Sequence, residues 1–291
     1  WGMLTGIRPA KTINTYMDTG LTKAESIKKM IETYEMSPEK AELAATVATA
    51  ERSILEKADK NGISLYIGIP FCPTRCLYCS FTSYPIDIYK TKVDGYVEAL
   101  IKELKFLGEK AQGKRLDSIY IGGGTPTSLS AEHLDKIMAA VLETFDLSNI
   151  LEYTVEAGRP DTITAEKLKV IKKNGASRIS VNPQTMNDET LKLIGRRHTI
   201  DDIKKIFYEA ISVGHYNINM DLILGLPGEG EDEVKNTMEE IKKLSPESLT
   251  VHTLAVKRAS RLKETLGEYD LAKAMLMENI LGLSAKGAAE M

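Results

Sequence analysis

Cys72-Pro73-Thr74-Arg75-Cys76-Leu77-Tyr78-Cys79 contains every cysteine of the chain, in the spacing CxxxCxxC. Three thiolates so spaced can each take one iron of a [4Fe–4S] cube, which leaves the fourth iron without a protein ligand. An open iron is a place where a small molecule with donor atoms can bind, so the spacing speaks for chemistry rather than for electron storage alone. The bland readings fit less well. Zinc would want a fourth ligand and normally a second CxxC or an HxxxH, whereas His133, His198, His215 and His252 are scattered. Cysteines packed separately in a core would not fall together in one short stretch. A disulfide suits neither a chain of this size nor one without a signal peptide.

Working outward, Leu65–Ile69 is a short apolar strand that leads into the cysteine loop. A helix is expected near 93–110, and a second strand, Ser118–Ile121, runs into Gly122-Gly123-Gly124-Thr125-Pro126-Thr127. Ser130 caps a helix over 131–144, Leu151–Glu156 is a third strand, and Thr164 caps the helix after it. Arg178–Val181 is a fourth strand, followed by Asn182-Pro183-Gln184 and helices near 188–195 and 200–213, the second opened by Thr199 with Asp202. Ile218–Leu224, a Gly-Leu-Pro-Gly exit and a helix near 230–244 come next, then a sixth strand, Leu249–Leu254. Alternation of this kind predicts an α/β fold with a parallel sheet and helical crossovers. Six units are too few for a full eight-fold barrel, so the expectation is a partial, TIM-like (βα)6 barrel. In such barrels functional residues collect at the C-terminal ends of the strands, where the cysteine loop, the glycine run, Glu156, Gln184 and Asp221 all fall.

The flanks read differently. Residues 1–62 form a helical lead-in: 4–9 is loop-like, Thr22 with Glu25 makes a capping box for a helix over 23–35, and Ser37-Pro38 opens another that reaches about Lys60. Residues 63–256 are the expected core, and 257–291 a helical tail with one helix at about 269–282. The chain starts at Trp1, not Met, and is expected to be part of a longer protein, truncated at the tail. Its 291 residues, net charge of −3 and 43% hydrophobic content give no sign of a nucleic-acid partner. No apolar run is long enough for a membrane span and no signal peptide is present, so a reducing, cytoplasmic setting is expected.

Beyond the cysteines, Tyr66-Ile67-Gly68-Ile69-Pro70-Phe71-Cys72, GGGTPT, Glu156, Gln184, Arg196, Asp221-Leu222-Ile223 and Gly225-Leu226-Pro227 occur in one order. In this the chain resembles the oxygen-independent coproporphyrinogen III oxidase/dehydrogenase family of radical S-adenosylmethionine (SAM) enzymes. LTGIRP (4–9), CPTRCLYCSFTSYP (72–85), NPQTMN (182–187) and VHTLAVKRAS (251–260) are most similar to its HemZ-type branch. The resemblance covers nearly the whole chain and implies the radical SAM core fold. It also implies a cluster on Cys72, Cys76 and Cys79 whose open iron is chelated by SAM, and one-electron cleavage of SAM to a hydrogen-abstracting radical. By position it implies Tyr66, as the catalytic candidate, near the bound SAM and Tyr78 against the adenine. Gly123, Gly124 and Thr125 would meet the methionine end, with Glu156, Gln184, Arg196, Asp221 and Ala255 lining the remainder.

The implied reaction converts two propionates of coproporphyrinogen III to vinyl groups without O2, fed by an electron donor such as a flavodoxin or ferredoxin. The four carboxylates of that substrate call for cations, and Arg8, Arg197, Lys257 and Arg258 are the candidates. A lid missing at the tail would leave SAM cleavage uncoupled from decarboxylation. One departure stands out: Phe81 occupies the place where some relatives carry a further cysteine, and Cys79-Ser80-Phe81 is similar to the haem-binding, chaperone-like branch.

General chemistry supports part of this list. Glycines allow close backbone approach to a ligand, a carboxylate suits an ammonium or a ribose, and a guanidinium forks onto a carboxylate. Without the resemblance, the glycine run is also an ordinary strand exit and Glu156 a rim residue. Arg196-Arg197-His198 then reads as a solvated helix end, and His133, His215 and His252 read as structural. Asp221, between apolar neighbours, must find partners.

Overall fold

A computed structural model of the chain describes residues 1–4 and 8–268. Two compact units emerge, Trp1–Gly62 and the chain from Ile63 onward. The first is built on α1 (Pro9–Asp18), α2 (Lys23–Tyr34) and α3 (Pro38–Leu55). The Thr22–Glu25 capping box forms as expected, with Thr22 N–H donating to the Glu25 carboxylate at 2.8 Å and Glu25 N–H to the Thr22 hydroxyl at 3.2 Å. Helix α1 was not legible: its Thr, Ile and Asn residues are weak helix formers, and it is held by burial of Ile13 against Met30, Met36, Ala41, Ala45 and Ala48. Helix α3 stops at Leu55 rather than near Lys60, and Asp59 then caps the following turn by accepting from Asn61 N–H at 2.7 Å.

In the second unit six strands lie parallel in chain order: β1 (Ile63–Ile69), β2 (Leu116–Gly123), β3 (Glu152–Gly158), β4 (Arg178–Gln184), β5 (Ile218–Leu224) and β6 (Ser248–Thr253). Among the described residues β1 and β6 are the two edges of this sheet. Crossovers are made by α4 (Val93–Lys110), α5 (Ala131–Thr144), α6 (Ala165–Lys173), α7 (Asp188–Leu193), α8 (Ile200–Val213) and α9 (Glu231–Leu244). The expected α/β architecture, a parallel sheet with helical crossovers, is therefore present. The capping residues Ser130, Thr164 and Thr199 accept from backbone N–H groups of the first turns they open.

Side chains alternate between the two faces of each strand. Ile67, Ile69, Ile119, Ile121, Val155, Ile179, Met220 and Leu222 join Val97, Leu134, Ile137, Leu168, Phe207 and Ile241 of the helices in one core. The register pairs Tyr66 with Tyr120 and Gly68 with Gly122 on the other face, and Asp221 with Thr250. Three strands end later than the sequence suggested, β3 at Gly158 rather than Glu156. Gly122 and Gly123 belong to β2, and Asn182-Pro183-Gln184 completes β4 rather than following it. Register shifts lie between Glu156 and Gly158 and between Val181 and Gln184, at the C-terminal ends of β3 and β4. Such irregularities re-aim side chains and collect near active sites. After β6 the chain makes a short 3-10 stretch, Arg261–Glu268; the helix expected at 269–282 lies outside the described residues. No described helix is long and apolar enough to cross a membrane.

Candidate active site

The cysteine loop is fastened to the C-terminal rim of the sheet by backbone hydrogen bonds. Phe71–Cys72 pairs with Tyr84–Pro85, and Tyr84 N–H donates to Pro70 C=O at 2.8 Å. Gly124 N–H reaches Ile69 C=O at 2.7 Å, and Thr125 N–H reaches Phe71 C=O at 2.8 Å. Leu77 donates to Ile194 at 3.0 Å and accepts from Leu262 at 2.9 Å. The glycine run has a local reason to be glycine. A Cβ on Gly124 would lie 2.6 Å from the Phe71 oxygen and 3.0 Å from the Cys72 sulfur. Gly123 adopts φ +106°, which suits glycine. Part of the signal read as ligand contact is thus the close seating of the cysteine loop itself. The Thr125 hydroxyl sits 3.4 Å from the Cys72 sulfur.

All three cysteines line one cavity of about 420 Å3. Burial pushes the Cys72 and Cys79 thiols up, and a bound metal would deprotonate them. Among the described residues no three His, Cys, Asp or Glu side chains close on a single ion. Three sulfurs distributed about one cavity suit a polynuclear cluster.

The same cavity is lined by Tyr78, Gly123, Gly124, Thr125, Glu156, Gln184, Arg196, Asp221, Ala255 and Lys257. Burial and the Asp221 carboxylate push Glu156 up to about 7, against hydrogen bonds from Tyr120 and Asn182 and the charge of Arg196. Asn182 donates to Glu156 at 3.1 Å, and Asn219 donates to Asp221 at 2.7 Å, the partner that this carboxylate needed. Arg196 is not a solvated helix end. It is 6% exposed and donates to the Asn182 carbonyl and, at 3.1 Å, to the Tyr78 hydroxyl. Burial pushes the Tyr78 phenol up, so it stays protonated.

Four polar atoms of cavity-wall residues, Arg75 Nε, Asn182 Oδ1, Gln184 Oε1 and Arg196 Nε, are buried without a hydrogen-bond partner. Gln184 also holds φ +71°, a conformation that a non-glycine residue adopts at a cost. Each unpartnered buried group costs about 1–3 kcal/mol, and together they mark where a polar molecule is accommodated. Sulfur donors at one part of the wall, with unsatisfied amide and guanidinium atoms and two hydrogen-bonded carboxylates elsewhere, fit a cluster with an amino-acid-bearing cosubstrate.

Other candidates lie elsewhere. Tyr66 does not line the cavity; it is 64% exposed and stacks on Tyr120 with centroids 5.9 Å apart, close enough for the Glu156 charge to raise its phenol after burial does. Arg197 and Arg258 are exposed and outside the cavity wall. Arg8 belongs to the first unit, where it lines a groove with Trp1, Asn14 and Glu51. Sequence reasoning missed several wall residues: Thr74, Arg75, Ser83, Gly158, Arg159 and His252. His252 was read as structural and is instead an exposed wall residue. Its position near the end of β6 was the available signal. His215 is structural, buried with Nε2 2.9 Å from Leu168 C=O, and His133 meets Asp94 at 2.7 Å.

The radical SAM superfamily model matches residues 66–241. The chain is 43% identical over 279 residues to the oxygen-independent coproporphyrinogen-III oxidase-like protein HemZ of Bacillus subtilis, covering 94% of this chain and 55% of that protein. It is 40% identical over 194 residues to the heme chaperone HemW of Bacillus subtilis, covering 66% and 50%. Its fold is similar to that of coproporphyrinogen III oxidase (HemN) from Escherichia coli, with a TM-score of 0.61, 25% identity and coverage of 78% of this chain and 56% of that one. The chain spans about half the length of the curated relatives it matches. With three thiols and a polar wall around one cavity at the rim of a parallel sheet, the chain belongs to the radical SAM superfamily, whose members use a [4Fe–4S] cluster and SAM.

Proposed function

We propose that this chain is the cluster- and SAM-binding part of an oxygen-independent enzyme that decarboxylates coproporphyrinogen III to protoporphyrinogen IX. The observation that carries the reading is the cavity shared by Cys72, Cys76, Cys79 and the unsatisfied groups of Asn182, Gln184 and Arg196, in a chain 43% identical to HemZ. When bound, the cluster and SAM supply one-electron cleavage of the sulfonium and, through it, abstraction of a hydrogen atom. The protein's part is placement. Cys72, Cys76 and Cys79 hold the cluster, and Gly123, Gly124 and Thr125 keep the loop close to the strand ends. Glu156, Gln184, Arg196, Asp221 and Ala255 receive the polar parts of SAM, with Tyr78 beside the ring. Each propionate loses a β-hydrogen, CO2 and one electron, which passes to an acceptor, and becomes a vinyl group. Lys257, on the wall, is the cation best placed for a substrate carboxylate; Arg197 and Arg258 come second. The electron donor is a small carrier of the flavodoxin or ferredoxin kind.

The test is anaerobic turnover of the reconstituted protein with SAM, a reductant and coproporphyrinogen III, reading 5′-deoxyadenosine and vinyl product together. Vinyl product that disappears in the Cys76→Ala variant supports the reading. A second reading is favoured by Phe81 and by 40% identity to a heme chaperone: the chain binds haem and passes it on. Stoichiometric haem binding with SAM cleavage but no decarboxylation would decide for it.

A further inference from the structure

The register shift at the end of β3 leaves Ala157 without a partner on β4 and is followed by Gly158 at φ +71°. This turn delivers Arg159, which is 3% exposed, into the cavity wall beneath the cysteine loop. Its guanidinium is fully committed. Nε and Nη2 fork onto Asp161 at 2.9 and 2.7 Å, a bidentate pair. Nη1 donates to the Thr74 hydroxyl at 2.7 Å, to the Thr74 carbonyl at 3.2 Å and toward the Cys76 sulfur at 3.8 Å. Nδ1 of the buried His198 stands 3.4 Å from Asp161 Oδ1. Burial alone would raise this carboxylate; His198 and Arg159 outweigh it and hold Asp161 well below the usual range.

We propose that Arg159 is a positioning residue for the iron–sulfur centre, fixing the backbone at Thr74 and placing a permanent positive charge and an N–H beside the Cys76 sulfur. The inference rests on Cys76 holding the cluster. Guanidinium does not lose its proton in proteins, so the charge is constant. A positive charge and a donor at a ligating sulfur favour the more negative, reduced state of the cluster and so raise its potential. Asp161 sits behind the guanidinium and opposes part of that field. Substitutions at the two positions should therefore move the potential in opposite directions, which a merely structural role would not do.

The experiment is an EPR-monitored redox titration of the anaerobically reconstituted protein, with iron content measured for each variant. Arg159→Gln should have a reduced-to-oxidised ratio roughly tenfold lower at fixed solution potential, which is about 59 mV for a one-electron couple. Arg159→Lys, which keeps the charge, should stay near the wild type, and Asp161→Asn should shift upward. If Arg159→Gln holds no iron, the last two variants carry the test. Midpoints that do not move, or that move the same way at both positions with iron intact, overturn the proposal while leaving the cluster reading in place. Full iron retention in Cys76→Ala overturns both.

Discussion

The two faces of the same six strands obey different rules. On β1, Ile67 and Ile69 are buried under the helices while Tyr66 and Gly68 on the opposite face are exposed. On β3, Val155 and Ala157 are fully buried, and Glu156 between them faces the cavity. On β5, Met220 and Leu222 enclose Asp221 in the same way. One face is held by packed hydrocarbon, whose stabilisation scales with area removed from water. The other keeps polar groups short of partners, which is tolerable only where a ligand or solvent can meet them. The comparison separates substitutions that cost stability from those that cost cofactor binding.

The sharpest break is expected at the cavity side. Cys76→Ala should abolish the cluster, read as loss of iron and of the charge-transfer absorbance, since two thiolates do not hold the cube firmly. Gly124→Val comes next. Its Cβ would meet the Phe71 oxygen at 2.6 Å and the Cys72 sulfur at 3.0 Å, so cluster incorporation should fall severalfold while the far-ultraviolet spectrum of the sheet remains. Normal iron uptake in Gly124→Val would mean that the loop seats itself without this close approach.

On the helix side, Ile121→Ala, at a fully buried position, should lower unfolding free energy by about 2–5 kcal/mol. Denaturant titration measures the loss, and SAM affinity of the folded fraction should not change. Glu156→Gln sharpens the contrast through pH. Glu156 is pushed up to about 7 from an ordinary value of 4.5, so the unfolded chain releases this proton at lower pH than the folded one. The contribution is intact below the unfolded value and is lost as pH rises through the folded one, on the order of 2 kcal/mol between pH 5 and 8. The cofactor-free Gln variant should lack this slope; an unchanged slope would place the titrating group elsewhere. Tyr66→Phe is the mildest. The ring can stay stacked on Tyr120, so stability should change by less than about 0.5 kcal/mol and SAM affinity should hold. A clear loss of SAM affinity in Tyr66→Phe would return Tyr66 to the SAM wall.

Much of the sheet was legible because strand periodicity and capping are local. Ile218–Leu224 as a strand and Ile200–Val213 as a helix can be read from residues within a few positions of one another. Arg196 could not. Its neighbours Arg197 and His198 make it look like a solvated helix end, and only the passage of the chain past Asn182 and Tyr78 buries it. Arg159 was equally silent, because its partners Thr74 and Cys76 lie far away in sequence.

The sequence by itself determined the cysteine spacing, the alternation of strand and helix, and the residues that end each strand, because covalent order and side-chain period need no distant partner. Only the tertiary structure decided which of those rim residues share a cavity, that the guanidiniums of Arg159 and Arg196 both stand near Cys76, and that Tyr66 faces its neighbour Tyr120 instead of the cavity wall. Those outcomes depend on strand register and on irregularities in the ladder at Ile63/Ser64, Glu156/Gly158 and Val181/Gln184. A shift of one residue in a parallel sheet turns every later side chain to the other face, and nothing within the strand itself specifies where that shift occurs.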